Sequence, residues 1–338
     1  MAMMGRHTGG MQLPARSRPT LLRVRAQSQN GLPSRTAVGA TATYLQVESL
    51  NGGPALQTEQ RPITVNVTTP EVQPQLYTPV ENYANLAKLG AKKSEMSPAK
   101  LFVSGILAGC YIAFGGFLMC AVAGNMQSLP VGVVKLISGL IFPVGLLMVT
   151  MSGSELYTGN TAVIPMAMYE GKASLGGMLT NWFWSYAGNY VGSLAMVAAV
   201  AATGVLAGNV VPVNVATMKA SLPLATVLVR STLCNWLVCM AVWHAASATT
   251  LPGKMMGLWA PIATFVAIGL EHSVANMFFI PMGMVLGAKV TFSEFMLNNL
   301  LPVTLGNTLG GFLFVGTAFS FLYGRLGQPK AAAAAAAS

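Results

Sequence analysis

Apolar residues in this chain gather into six long stretches, 101–122, 136–167, 175–206, 222–246, 255–287 and 300–322, separated by short polar connections. Each is long enough to cross a hydrocarbon core of about 30 Å as a helix. None alternates with period two, and backbone groups in lipid must be satisfied within the protein, so the pattern predicts helices and excludes a barrel. The fold class that follows is an all-α membrane protein with six transmembrane segments.

The second and fifth stretches are longer than a straight crossing needs: at 1.5 Å per residue, about 32 residues reach roughly 50 Å. Each must tilt strongly or break. Polar residues mark where breaking is easiest. Gly153-Ser-Glu155-Leu-Tyr-Thr-Gly-Asn160 lies in the second stretch and Gly269-Leu-Glu271-His-Ser-Val-Ala-Asn276 in the fifth, one G-x-E-x-x-x-x-N frame repeated 116 residues later. A second frame, Asn181 with Gly188-Asn189 and Gly192, returns 118 residues on as Asn299 with Gly306-Asn307 and Gly310. Three crossings per half force the halves into opposite orientation, so the sequence predicts two inverted three-helix repeats whose broken segments meet near the midplane and line a pathway. Gly105, Gly109, Gly188, Gly192, Gly306 and Gly310, spaced in fours, predict close backbone packing.

Composition agrees: 53% of residues are hydrophobic and 8% charged. The formal charge of +10 is scattered between segments and in the tail, which excludes a nucleic-acid partner. All nine acids are Glu and none precedes Glu48, while Arg6, Arg16, Arg18, Arg23, Arg25 and Arg35 stand among Ser, Thr and Ala. That bias predicts a transit peptide over 1–26, cut after Arg25 or Ala26, with plastid preferred over mitochondrion. Residues 27–85 read as a poorly ordered tail and linker, 86–326 as the transmembrane channel domain and 327–338 as a C-terminal tail. Counting basic residues on the two sides favours both termini inside. The four cysteines fall in apolar stretches and read as packing residues.

An ionisable group at the centre of a membrane helix costs about 2.5–3.5 kcal/mol, so each one needs a compensating role. Glu155 and Glu271 read either as acceptors for N–H groups freed at the breaks or as pathway residues. His272 is the exception to the repeat, since Leu156 holds its place in the first half, and a neutral imidazole handles protons near physiological pH. Lys219 reads as a solvated loop lysine or as a cation at a pore mouth that gathers anions. Asn235 reads as a pore donor or as a hydrogen bond between helices. An intramembrane enzyme using Glu271 and His272 as an acid/base pair is a weaker reading, because no nucleophile or metal set accompanies them. No cofactor and no metal are expected. A neutral-solute channel is weaker too, for the paired Asn-Pro-Ala motif of water channels is absent.

"GSELYTGN", "NWFWSYAGNYVG", "CNWLVCMAVW", "GLEHSVANMFFIPMG" and "NNLLPVTLGNTLGG" resemble the formate/nitrite transporter family over about residues 80 to 325. The transit-like start is similar to the plastid branch. The resemblance implies an aquaporin-like protomer, a homopentamer in a lipid bilayer with one pore per protomer, and traffic in nitrite, formate or bicarbonate with protons. It implies a central pore at His272, Thr158, Glu271 and Asn235, with His272 facing Thr158. It further implies apolar constrictions at Phe142, Leu146, Leu156 and Phe265 and an anion vestibule at Lys219. Tyr157 stands where the family usually has Phe, and Glu155 where bacterial members often have Asp. The function expected is a channel or proton-linked transporter for small weak-acid anions in the chloroplast inner envelope, nitrite first and bicarbonate as the alternative. Whether His272 donates the proton or acts through Thr158 stays open at this level.

Overall fold

The computed structural model describes residues 76–329 and two strands, β1 (Arg23–Ala26) and β2 (Leu45–Glu48). The chain divides into two units, Met1–Val72 and Gln73–Ser338. In the first, β1 and β2 pair antiparallel. The expected transit peptide lies outside the described residues apart from β1, and the terminal alanine run lies outside them altogether.

The second unit is helical and built twice. The first half holds α1 (Pro79–Ser94), α2 (Pro98–Gly124), α3 (Val131–Ile141), α4 (Val144–Ser152), α5 (Tyr157–Tyr169) and α6 (Leu175–Thr203). The second holds α7 (Val210–Ala220), α8 (Leu224–Ser247), α9 (Leu251–Ile268) and α10 (Ser273–Val285). Its last segment contains α11 (Phe292–Glu294), α12 (Leu301–Gly311) and α13 (Ala318–Tyr323), joined by π-helical turns at Phe295–Leu300 and Phe312–Thr317. In order, α1, α2, α3 with α4, α5 and α6 correspond to α7, α8, α9, α10 and the last segment.

Five segments, Pro98–Gly124, Val131–Ser152, Leu224–Ser247, Leu251–Ile268 and Phe292–Tyr323, are long and apolar enough to cross a membrane. At 29 residues α6 is also long enough. Its apolar character is diluted by Asn181, Ser185, Asn189 and Ser193, all fully buried against its neighbours.

Both long stretches break at the G-x-E frames. Helix α4 ends on Gly153 at φ 70° and α9 on Gly269 at φ 80°, left-handed caps that a side chain resists. The second stretch also kinks between α3 and α4 at Phe142-Pro143, where proline supplies no N–H. The inward halves of the broken segments, α5 and α10, are almost wholly buried.

The small residues pack as their spacing predicts. A Cβ on Gly109 would overlap the Asn189 carbonyl oxygen, and one on Gly192 the Ile106 carbonyl oxygen, so α2 and α6 touch backbone to backbone. In the second half Gly310 meets the Thr232 carbonyl, which brings α12 equally close to α8.

Residues 79–85, expected in the tail, belong to α1. Thr78 and Glu81 form a reciprocal capping box that starts the helix, and the Thr78 N–H and hydroxyl hold the Glu81 carboxyl below the usual carboxylate range. Tyr83, Leu86 and Ala87 then bury against α5 and α8 in a small cluster of their own. Linker composition hid this helix because only one of its faces is apolar.

Candidate functional site

Each break leaves backbone groups without helical partners, and the chain satisfies them with asparagines from the neighbouring helix. At the start of α5, the Tyr157 N–H donates to Asn189 Oδ1 at 2.9 Å, while Asn189 Nδ2 donates to the Glu155 and Gly105 carbonyls, each at 2.9 Å. At the start of α10, the Ser273 N–H donates to Asn307 Oδ1 at 2.8 Å, and Asn307 Nδ2 donates to the Glu271 and Ser231 carbonyls at 2.9 and 2.8 Å.

The two glutamates are held the same way. Glu155 Oε1 pairs with Lys93 Nζ at 2.5 Å, and its Oε2 accepts from Asn160 and Asn181 at 2.8 and 3.1 Å. Glu271 Oε1 pairs with Lys219 Nζ at 2.9 Å, and its Oε2 accepts from Asn276 and Asn299 at 2.7 and 3.2 Å. Asn181 then donates to the Lys93 carbonyl and Asn299 to the Lys219 carbonyl, both at 3.0 Å. Each buried carboxylate therefore has both a cation and hydrogen bonds, the condition under which a buried ion pair is tolerated.

His272 and Thr158 meet between these two networks. His272 is the N-cap of α10, its Nδ1 accepting from the Ala275 N–H at 3.0 Å. With Nδ1 occupied as an acceptor, the ring is neutral and its proton sits on Nε2, as the hydrogen-bond network assigns it. Nε2 lies 3.0 Å from Thr158 Oγ1, so the ring donates and the threonine accepts. Thr158 stands in the first turn of α5, and the bond therefore joins the N-terminal ends of two half-helices, both positive ends of helix dipoles.

The predicted constriction residues lie together against that histidine. Phe142, Leu146, Leu156, Phe265 and His272, with Ile112, Val238 and Ile262, enclose a cavity of about 10 Å³, the lower limit for one water. Phe265 stacks on the His272 ring with centroids 5.7 Å apart, and Phe142 meets Phe265 edge-on at 6.0 Å. Side chains fill the space between the two breaks, and the asparagine bonds to freed backbone groups fix the loops behind them.

Three candidate site residues had two readings each in the sequence, and the structure shows the contacts each makes. Lys219, expected as a solitary vestibule cation before the fourth segment, lies in the last turn of α7 with its side chain 10% exposed and its charge met by Glu271. Asn235, read as a pore donor or as a hydrogen bond between helices, makes the latter: its Nδ2 donates to the Thr158 and Asn307 carbonyls and to Thr161 Oγ1, holding α8, α5 and α12 together. Glu271 likewise sits behind the constriction, in the ion pair. Lys93 was missed as a site residue and counted only for orientation. Lys93 and Lys219 stand 126 residues apart on short helices ahead of the first and fourth segments, the one signal that pairs them.

Residues 80–321 match the family model described as formate/nitrite transporter. Over 254 residues the chain is 44% identical to a probable formate transporter of Methanothermobacter thermautotrophicus, covering 69% of this chain and 92% of that protein. It is 32% identical to the formate channel FocA of Escherichia coli strain K12 over 257 residues, 69% of this chain and 90% of that one. Among solved structures, an FNT family ion channel superposes with a TM-score of 0.67 at 31% identity, covering 72% of this chain and 98% of its own. A pentameric formate channel with formate bound superposes with a TM-score of 0.61 at 34% identity, covering 67% and 97%. With both broken segments, the matched asparagine brackets and the histidine-threonine junction in place, the chain belongs to the formate/nitrite transporter family.

Proposed function

We propose that each protomer passes small monovalent weak-acid anions, nitrite and formate above all, as their neutral acids through the constriction beside His272. The observation that carries this reading is the Thr158–His272 bond, which sets two polar hydrogen-bonding groups and two helix N-termini against an apolar ring. An anion entering that ring sheds water at a cost no fixed charge there repays, because both lysines are already paired. Low dielectric raises the pKa of a carboxylic or nitrous acid, and the positive half-helix ends draw the anion in until it takes a proton. The acid then crosses without charge.

The proton comes from water rather than from His272. Protonating Nδ1 would sacrifice the cap on Ala275 N, and removing Nε2–H from a neutral ring would leave an imidazolate. His272 therefore acts as a fixed donor that orients the Thr158 hydroxyl. The pentameric neighbour supports assembly of five chains, the arginine-rich, acid-free start supports a plastid envelope, and the excess of basic residues on one side of the segments supports both termini on the stromal side.

The test is flux of nitrite, formate and bicarbonate into liposomes carrying the purified protein, with and without a pH gradient. Nitrite and formate should enter fastest with the acid side outside. His272→Asn keeps a good cap for α10, so it should fold and pass less substrate while retaining the pH-gradient dependence. A folded His272→Asn protein that loses this dependence would make His272 the proton donor.

A further inference from the structure

Helix α12 carries Asn307 and Thr308 side by side, and they hold the two sides of the constriction. Asn307 Oδ1 accepts the N–H of Ser273, the residue after His272. Thr308 Oγ1 lies 2.7 Å from the Tyr157 hydroxyl, and Tyr157 is the residue before Thr158. The direction of that bond is fixed, since the Thr308 hydroxyl spends its own proton on the Thr304 carbonyl at 2.7 Å, leaving Tyr157 to donate. One turn earlier the arrangement repeats: Thr304 donates to the Leu300 carbonyl and receives the Tyr186 hydroxyl at 2.8 Å, with the Tyr157 and Tyr186 rings edge to face at 5.0 Å. Tyr157 is thus held at its N–H by Asn189 of its own half and at its hydroxyl by α12 of the other.

The second repeat has no such contact. Ser273 stands where Tyr157 does, and its buried Oγ has no hydrogen-bond partner among the described residues. The brace therefore runs one way, from the half bearing Thr158 to the half bearing His272.

We propose that Tyr157 and Thr308 are positioning residues that hold Thr158 in register with His272, and that this brace, absent where the family has its usual Phe, adds to the preference for weak-acid anions over anions of strong acids in this chain. The proposal rests on the Thr158–His272 reading of the pore. If the brace holds Thr158, Tyr157→Phe keeps the ring packing and removes one neutral hydrogen bond, which corresponds to about a fivefold change in the equilibrium constant between registered and unregistered states. Formate or nitrite flux should fall up to about fivefold relative to nitrate flux, with assembly unchanged and the thermal midpoint lower by no more than about 2–4 °C. Thr308→Val should lower the ratio at least as much, because it strands the Tyr157 O–H, the double variant should lose no more than Thr308→Val, and Thr308→Ser should keep the wild-type ratio.

A second readout needs no transport. The chain has three histidines, so the ring signals of His272 can be assigned in ¹⁵N-histidine-labelled protein in lipid by subtraction with His272→Asn. Wild type should give a neutral ring protonated at Nε2 with a hydrogen-bonded proton. Tyr157→Phe and Thr308→Val should shift and broaden that resonance, and Thr308→Ser should not. Unchanged His272 signals in both variants, or additive loss of flux in the double variant, would overturn the brace. If wild type shows no weak-acid preference while the resonance still responds, the pore reading fails and the brace stands as a register device without a role in selectivity.

Discussion

Lys219 and Glu271 form a buried ion pair in which neither member can be removed alone without stranding the other. Lys219→Met leaves the Glu271 carboxylate with two asparagine amides but no cation, and breaking such a pair from one side costs about 3–5 kcal/mol. The variant should lose much of its thermal stability in detergent. Joining it to Glu271→Gln removes both charges and keeps an amide that can bond the asparagines, so the double variant should recover most of the loss. A double-mutant cycle that shows additive costs would mean that the pair is not coupled. The same experiment on Lys93 and Glu155 should give a smaller coupling, since the Lys93 side chain is 15% exposed and water can solvate what is left.

Among the elements, the contact of α2 with α6 is sensitive to a single methyl group. Gly192→Ala would drive a Cβ into the Ile106 carbonyl, and two backbones cannot part without opening a gap along both helices. Overpacking of this kind costs about 1–3 kcal/mol or more, so the thermal midpoint should fall sharply. Gly176 in the first turn of α6 supplies the control: its nearest neighbour is the Ser174 hydroxyl at 3.9 Å from an added Cβ, and Gly176→Ala should be neutral or stabilise by up to about 1 kcal/mol. Equal effects at the two positions would mean that α2 and α6 do not touch as described. The elements themselves were legible in the sequence to a large degree. Hydropathy located six segments, and overlength with the G-x-E frames located both breaks. What it left out was α1 and α7, because helices of 16 and 11 residues with mixed composition carry no membrane signal.

At the scale of the molecule, the described surface is strongly apolar on helices that surround the buried α5 and α10. Leu136 and Leu140 on α3, Phe183 on α6, Val229 and Leu233 on α8, and Leu305 and Leu309 on α12 are all exposed in the single chain. Lipid covers part of this surface, and neighbouring protomers cover the rest if the chain assembles as its pentameric structural neighbour does. Native mass spectrometry of the detergent-solubilised protein should therefore give a particle of five chains. A stable monomer that still conducts formate would separate assembly from transport, and any other closed number would set this chain apart from that neighbour.

The sequence by itself determined the membrane class, the two opposed halves and the positions of the breaks, and it singled out His272 as the residue that departs from the repeat; Thr158 and the four apolar residues beside it were pointed to only by family resemblance. Hydropathy and glycine placement act within one segment, so a linear reading can recover them. Tertiary structure alone decided which partner each polar residue takes. Lys219 finds Glu271 across 52 positions, Thr158 finds His272 across 114, and Tyr157 finds Thr308 across 151. A carboxylate, an amide or a hydroxyl can be satisfied by many groups, and the choice among them is made only when helix packing brings one to about 3 Å. The ring of side chains around the cavity of about 10 Å³ depends on that packing for the same reason, since its members come from opposite halves of the chain, whereas the neutral tautomer of His272 is set locally by the Ala275 N–H.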